Sequence, residues 1–366
     1  MENNESANGQ LLKTKSEFDI TDSAFATLMF VVLSVIFSFA LSIFNVKVKM
    51  GSFFYFVLHI LVESIFAIAA VIVAKIKKRT IIDSAGMNKK VNGVIVGWSF
   101  LVALISLLCF ANLTNVFIAF LEKFGLKTDS VNIEINNFGQ YLGMLVSSCA
   151  VAGFSEELLF RGVIQSGFKK WGIKISVGVS ALIFMIMHGS VLQTIHQFII
   201  GIVIGYIFYK TNNLWIGVII HFFNNFIPVT ETYLLTIATK AETVTEAATE
   251  TASVGFGSIL ISLIMALFMA WAGYYFIRLI FKKIIKENEK LNENKEEKEV
   301  VTSIVVDGAA QEVEMTIDGT VQLAENPVET KQAEKPTISG GAIAMFSVAG
   351  LYLLLEWILG TISFFM

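Results

Sequence analysis

The sequence predicts an all-α protein built as a polytopic bundle of transmembrane helices. Of its 366 residues, 55% are hydrophobic and only 16% are charged, and it contains 32 Phe but 3 Pro. Long apolar runs recur along the chain, and about 20 such residues are enough to cross the hydrocarbon core of a bilayer. This composition is typical of an integral membrane protein and excludes an ordinary soluble domain.

About nine runs are apolar and long enough to be predicted as spans, and their boundaries divide the chain. The predicted spans are 23–45, 52–74, 93–121, 140–168, 173–190, 192–209, 213–237, 254–281 and 341–366. The predicted organisation is an N-terminal tail (1–22), three N-terminal spans (23–139), a four-span core (140–238), a loop with the eighth span (239–283), a polar segment (284–340) and a last span (341–366).

Basic residues predict the orientation in the cell membrane. They cluster after the second and the eighth predicted span, at Lys75, Lys77, Lys78, Arg79, Arg278, Lys282, Lys283 and Lys286. Loops rich in Lys and Arg stay on the cytoplasmic side. Nine crossings that begin with a cytoplasmic N-terminus place both clusters inside.

The segment 284–340 differs in composition from the spans around it. It is rich in Glu, Lys, Asn, Thr and Gln, which predicts a cytoplasmic and largely mobile segment. Within it, 302–306 and 312–317 alternate apolar and polar residues and are followed by Asp-Gly turn signals. This pattern predicts a small β-hairpin.

Ionisable side chains inside the predicted spans are the strongest functional signal. A charge at the bilayer centre costs about 2.5 to 3.5 kcal/mol on insertion scales, so such residues face the protein interior and mark functional sites. Counted at ~1.5 Å per residue from the nearest cytoplasmic Lys, Glu156, His188 and His221 lie about 20, 21 and 17 Å deep. This shared depth predicts one polar active-site cavity near the bilayer midplane.

Helical spacing separates the two adjacent glutamates. Glu157 and Arg161 are four residues apart and share a helix face, which predicts an internal ion pair. Glu156 lies about 100° round the helix and is left free to act as a general base towards water.

Two further helices supply donors at the same depth. His188 can donate, accept or ligate, and Phe184, one turn before it, is predicted to wall the cavity. His221 and Asn225 also share one helix face. An imidazole and an amide that point into one cavity can hold a water or donate to the oxyanion of a tetrahedral intermediate.

Three other features carry weaker signals. His59 and Glu63 form an i, i+4 pair in the second span, interpreted as a buried hydrogen-bonded pair with a gating role as the alternative. His196 lies at the depth of the site and is interpreted as interfacial, with a fourth ligand or a substrate contact as alternatives. Gly201 and Gly205 form the small-xxx-small pattern that lets helices pack closely.

The chain contains, in this order, the patterns Glu-Glu-x-x-x-Arg, Phe-x-x-x-His and His-x-x-x-Asn. They resemble the three motifs of the CPBP intramembrane proteases. That family groups type II CAAX prenyl endopeptidases with bacterial proteins linked to bacteriocin processing and self-immunity, and the resemblance covers about residues 140–228. It implies peptide hydrolysis in which Glu156 activates water. His188 would position the water, His221 and Asn225 would stabilise the oxyanion, and Glu157 with Arg161 would hold the architecture.

The resemblance leaves the cofactor open, because the family has been described both as metalloproteases and as metal-independent glutamate proteases. Two histidines and a glutamate suit one divalent metal such as zinc by ligand type, but here they come from separate helices without the local His-Glu-x-x-His spacing. Metal dependence therefore stays undecided at this stage.

The predicted substrate is a membrane-associated peptide or a lipidated, CAAX-like protein, and no nucleic-acid partner is expected. The alternative is a catalytically inactive immunity or regulatory protein that binds a membrane partner protein. A proton-coupled or small-solute transporter also uses carboxylates at the midplane, but the sequence lacks the paired repeats typical of transporters.

Overall fold

The computed structural model describes residues 17–127, 135–241, 255–306 and 337–363. All regular structure in these ranges is helical, and seven of the helices are long and apolar enough to cross a membrane, which confirms an all-α, multi-pass bundle. The helices are α1 (Ile20–Ile43), α2 (Phe53–Lys77), α3 (Ile81–Ser84), α4 (Gly93–Glu122), α5 (Phe138–Met144), α6 (Ala152–Leu159), α7 (Ile173–Met187), α8 (Thr194–Thr211), α9 (Leu214–Ala241), α10 (Phe256–Val306) and α11 (Gly340–Ser363).

Each of the nine predicted spans contains a helix, but two of these helices are not among the seven long apolar ones of the described ranges. Helix α7 has 15 residues, which is a length of about 22 Å at 1.5 Å per residue and falls short of a hydrocarbon core of about 30 Å. Helix α9 has 28 residues, but the polar residues His221, Asn224 and Asn225 interrupt its apolar sequence. Both exceptions carry residues of the predicted site.

The first helix begins at Ile20, earlier than predicted, because two aspartates cap it. The Asp19 side chain accepts from the backbone N–H groups of Thr21 and Asp22, and the Asp22 side chain accepts from the backbone of Asp19. Arg79, just after α2, donates to both carboxylates at 2.8 and 2.9 Å. The last residues of the predicted N-terminal tail therefore belong to the folded bundle.

The centre of the bundle is the helix Phe138–Gln165, here called the motif helix. It consists of α5, a π-helical segment (Leu145–Val151), α6 and a second π-helical segment (Phe160–Gln165). Its apolar window is 56% buried, against 17 to 44% in the other candidate spans, and it packs against α1, α2, α7 and α9. A π-helical turn holds one more residue than an α-helical turn and is frequent at functional sites.

The remaining helices enclose the motif helix. Helices α7 and α8 form a tightly packed hairpin, since a Cβ atom at Gly201 would lie 3.1 Å from the Cα atom of Ala181. This close approach agrees with the packing role predicted for Gly201 and Gly205. Helix α4 packs on α9 and α10, and α11 packs on α1 and α7.

Helix α10 extends well beyond the predicted eighth span, through the first part of the segment interpreted as mobile. Its buried side chains Asn288 and Asn292 accept, at 2.9 Å each, from the Asn213 amide and the Lys90 backbone, which fixes the polar part of the helix to the bundle. Residues 302–306 lie inside α10, so the prediction that they form the first strand of a β-hairpin is wrong. Its second strand, 312–317, lies outside the described residues.

Candidate active site

The motif helix carries both glutamates and the arginine into the core of the bundle. Glu156 is 6% exposed, and Glu157 and Arg161 are completely buried. The glutamates belong to α6, while Arg161 lies in the second π-helical segment. A charged triplet this deeply buried requires partners, because unpaired charge in a low-dielectric interior is unfavourable by several kcal/mol per ion, of order 3 to 5 when one partner is removed.

Glu157 and Arg161 form the predicted ion pair. Arg161 Nη1 lies 3.1 Å from Glu157 Oε1, and Arg161 Nη2 donates to the carbonyl oxygen of Gly201 at 3.1 Å. The guanidinium group also lies over the ring of Phe184, 5.1 Å from its centroid. Gly217 of α9 makes room for the carboxylate, since a Cβ atom there would lie 3.1 Å from Glu157 Oε2.

His221 joins the two glutamates and does not line the cavity. Its Nδ1 donates to Glu157 Oε1 at 2.9 Å, and its Nε2 lies 4.0 Å from Glu156 Oε2. The imidazole is 3% exposed. The prediction that His221 and Asn225 both project into the cavity is therefore wrong for His221, which is held behind the glutamates by its bond to Glu157.

His188 lies at the C-terminal end of α7. Its Nδ1 donates to the carbonyl oxygen of Phe184 at 2.8 Å, which fixes the neutral tautomer and leaves Nε2 as the ring nitrogen available to the cavity. Phe184 itself is completely buried and packs edge-on against His188, with ring centroids 4.7 Å apart. Phe184 thus supports the histidine from behind and does not wall the cavity as predicted.

Asn225 reaches the cavity from α9 and is oriented by its neighbours. Its amide nitrogen donates to the carbonyl oxygen of Ser148 at 2.8 Å, and its oxygen accepts from Asn224 at 3.3 Å. The same Asn224 amide lies 3.3 Å from Nε2 of His196. His196 therefore contacts the site through Asn224 and is half-buried within the bundle.

These side chains surround a cavity of about 450 Å³. Three of the six predicted site residues, Glu156, His188 and Asn225, line it, and the other three lie directly behind them. The cavity is also lined by residues of α1, α2, the motif helix, α7, the α7–α8 turn and α8, namely Phe30, Ser34, His59, Val62, Glu63, Phe66, Ser148, Ala152, Met187, Gln193 and Gln197.

Most of the residues that line this cavity were not predicted from the sequence. The polar members Ser148, Gln193 and Gln197 carry no charge, so their depth in the membrane gave no signal. His59 and Glu63 had a signal, an ionisable i, i+4 pair inside a span, and the structure places that pair on the cavity wall.

The donor set does not fit a metal ion. Within the described part of the chain, no group of three or more His, Cys, Asp or Glu side chains is arranged to hold one.

A comparison with known protein families matches the segment that contains the three motifs. Residues 138–227 match the family model described as "Type II CAAX prenyl endopeptidase Rce1-like". No curated protein and no solved structure matches the chain. The matched range contains all three motifs and therefore confirms the resemblance based on them: residues 138–227 are similar to the Rce1-like endopeptidase domain.

Proposed function

We propose that this protein is an intramembrane endopeptidase that hydrolyses a peptide bond in a membrane-associated peptide or a lipidated, CAAX-like protein. The observation that carries the proposal is the position of Glu156, a buried carboxyl group on the wall of a cavity that also presents His188 and Asn225. A general base must lie within hydrogen-bond reach of the water it deprotonates, and a cavity of about 450 Å³ has room for water and a peptide segment.

In the proposed reaction, Glu156 accepts a proton from water while the water oxygen bonds to the peptide carbonyl carbon. The second N–H of Asn225, which is not used on Ser148, stabilises the oxyanion that forms, and His188, whose Nδ1 is fixed on Phe184, orients the water through Nε2. Glu156 then gives its proton to the leaving amine as the C–N bond breaks. Glu157, Arg161 and His221 hold Glu156 in place without contacting the substrate.

Peptide profiles of cells test the proposal and identify the substrate. Membrane and secreted peptides are compared by mass spectrometry for wild type, Glu156→Gln and His188→Ala at matched expression. Glu231→Gln is the matched control, because Glu231 is exposed on α9 and does not line the cavity. Removal of a general base typically costs about 10² to 10⁴-fold in rate.

The expected result is that one precursor accumulates and its cleaved product disappears in Glu156→Gln and His188→Ala but not in Glu231→Gln. All variants should elute as folded monodisperse protein in detergent. Identical peptide profiles in all four strains, together with a cellular phenotype that survives both cavity substitutions, would overturn the protease and favour a binding or immunity role.

A further inference from the structure

Helix α2 brings a second carboxyl group, Glu63, into the candidate active site. Glu63 and Glu156 line the same cavity, and the helices that carry them, α2 and α6, pack directly on each other. Glu63 lies outside the Rce1-like range 138–227, so its presence at the site is a feature of the tertiary packing of α2 on α6.

Each of the two carboxyl groups has one oxygen atom without a donor. Glu63 Oε2 and Glu156 Oε2 are both buried and have no hydrogen-bond partner among the described residues. An ionised carboxylate can only accept hydrogen bonds, so two ionised carboxylates cannot satisfy each other. Two like charges that share a site also do not both ionise readily. A single proton held between the two groups removes both difficulties.

His59 fixes Glu63 in this position from the other side. His59 Nε2 lies 3.2 Å from Glu63 Oε1, and His59 Nδ1 lies 3.2 and 3.3 Å from the hydroxyl oxygens of Ser147 and Ser148. Ser147 donates its proton to the carbonyl oxygen of Gly143. With the Ser148 hydroxyl donating to Nδ1, Nε2 carries the proton and donates to Glu63. One oxygen of Glu63 is thus occupied by His59, which leaves the other for Glu156.

We propose that Glu63 and Glu156 form a carboxyl dyad that shares one proton, with Glu63 as a positioning residue for Glu156. The inference rests on the proposed function of Glu156. In the resting state Glu63 holds the proton and donates to Glu156, which stays ionised towards the water. The proton taken from water goes to Glu156 and then to the leaving amine, while the proton of Glu63 is not consumed.

The dyad titrates as a unit, so the other ionisable groups around it matter. The groups that face it from the packed elements are His59, Glu157, Arg161, His188, His196 and His221. Arg161 is neutralised by Glu157. The extra proton of the site is therefore assigned to Glu63 and Glu156, neither of which forms an ion pair with Lys or Arg in the described part of the chain.

Infrared spectroscopy of the purified protein in lipid nanodiscs detects the shared proton without any substrate. Near neutral pH, the wild type should show the C=O stretch of one protonated carboxyl group that shifts in D₂O. This band should be lost in Glu63→Gln and in Glu156→Gln, because either substitution removes one half of the dyad. Glu231→Gln should retain the band.

Kinetic measurements distinguish a positioning role of Glu63 from a purely structural one. In Glu63→Gln the introduced amide still donates to Glu156, so kcat near neutral pH should fall less than in Glu63→Ala. The alkaline limb of the pH profile, which reports loss of the shared proton, should flatten. Glu63→Ala removes the donor and should lower kcat by about 10²-fold, as expected for a displaced catalytic group.

The outcomes separate the two proposals. If the carboxyl band is absent from wild type, or persists unchanged in both Glu63→Gln and Glu156→Gln, the dyad is overturned, whatever the peptide profiles show. If the band behaves as expected but Glu156→Gln still cleaves its precursor, the dyad stands and the proposed protease mechanism fails. Equal pH profiles for wild type and Glu63→Gln would also overturn the positioning role.

Discussion

Two glutamates adjacent in the chain have different surroundings in this bundle. Glu157 contacts a guanidinium nitrogen at 3.1 Å and an imidazole nitrogen at 2.9 Å, whereas His221 Nε2 lies 4.0 Å from Glu156. One helical step of about 100° produces this difference. The consequence is that one carboxyl group is held by an ion pair behind the cavity, while its neighbour lies on the cavity wall, where the proposed reaction uses it.

The buried ion pair leads to a stability prediction. Arg161→Gln should destabilise the protein by about 3 to 5 kcal/mol, because the carboxylate of Glu157 is left buried without its cation. Combining Arg161→Gln with Glu157→Gln should restore part of the loss, since the double substitution leaves no uncompensated charge. Thermal unfolding in detergent measures both variants.

Lys170→Gln is the matched control for this prediction. Lys170 is 70% exposed and lies 3.8 Å from Glu17, and exposed ion pairs contribute only about 0 to 1 kcal/mol. Equal effects of Lys170→Gln and Arg161→Gln would show that burial of the Arg161 pair contributes nothing to stability. A double variant at least as unstable as the sum of the single ones would contradict the charge argument.

At the residue scale, the sequence predicted the contacts that lie within one helix and missed those between helices. The i, i+4 spacing correctly placed Glu157 against Arg161, and His59 against Glu63. It could not show that α2 turns Glu63 towards Glu156. Nor could it show that His221 bonds to Glu157, since that depends on the packing of α9 on the motif helix.

At the scale of elements, the carbonyl groups of the second π-helical segment accept hydrogen bonds from three serine hydroxyl groups around it. Ser23 of α1 donates to the carbonyl oxygen of Ile164 at 2.9 Å, and Ser176 of α7 donates to that of Gln165 at 3.0 Å. Ser166 donates to the carbonyl oxygen of Arg161 at 2.8 Å. A widened turn disturbs the regular pattern of helical hydrogen bonds, and these hydroxyls supply donors to its carbonyls.

Ser176→Ala should therefore weaken the segment that carries Arg161. Removing the hydroxyl leaves a buried carbonyl group with one donor fewer, and an unsatisfied buried acceptor costs about 1 to 3 kcal/mol. The expected result is a lower melting temperature in detergent and reduced cleavage. Ser347→Ala is the control, because Ser347 is exposed and donates only to Ile343 of its own helix. A Ser347→Ala effect as large as that of Ser176→Ala would refute the role of the hydroxyl.

Helix positions were predicted to within a few residues wherever a long apolar run determined them. The π-helical segments could not be predicted, because they lie inside a continuous helix and their sequences contain no signal that marks a widened turn. The extension of α10 was missed for a different reason. Its polar composition is typical of mobile segments, but two buried side chains, Asn288 and Asn292, fix it to residues near Lys90 and Asn213.

At the scale of the whole molecule, the short helix α7 determines where the cavity opens. A length of 15 residues corresponds to about 22 Å, so α7 ends below the surface of a hydrocarbon core of about 30 Å. His188 closes the helix, and Gln193 of the following turn lines the cavity and is exposed. The cavity should therefore be accessible from the end of the bundle where α7 turns into α8.

The distribution of Lys and Arg predicts that this end lies outside the cytoplasm, and cysteine labelling tests the prediction. The native Cys109 and Cys149 are buried and give little background. In intact cells, a membrane-impermeant maleimide should label Gln193→Cys but not Lys174→Cys, whose exposed position at the start of α7 lies at the opposite end. Opened membranes should allow both to react. The reverse labelling pattern in intact cells would show that the predicted orientation is wrong. If Gln193→Cys stays unreactive in opened membranes, the cavity has no aqueous entrance at the α7–α8 turn.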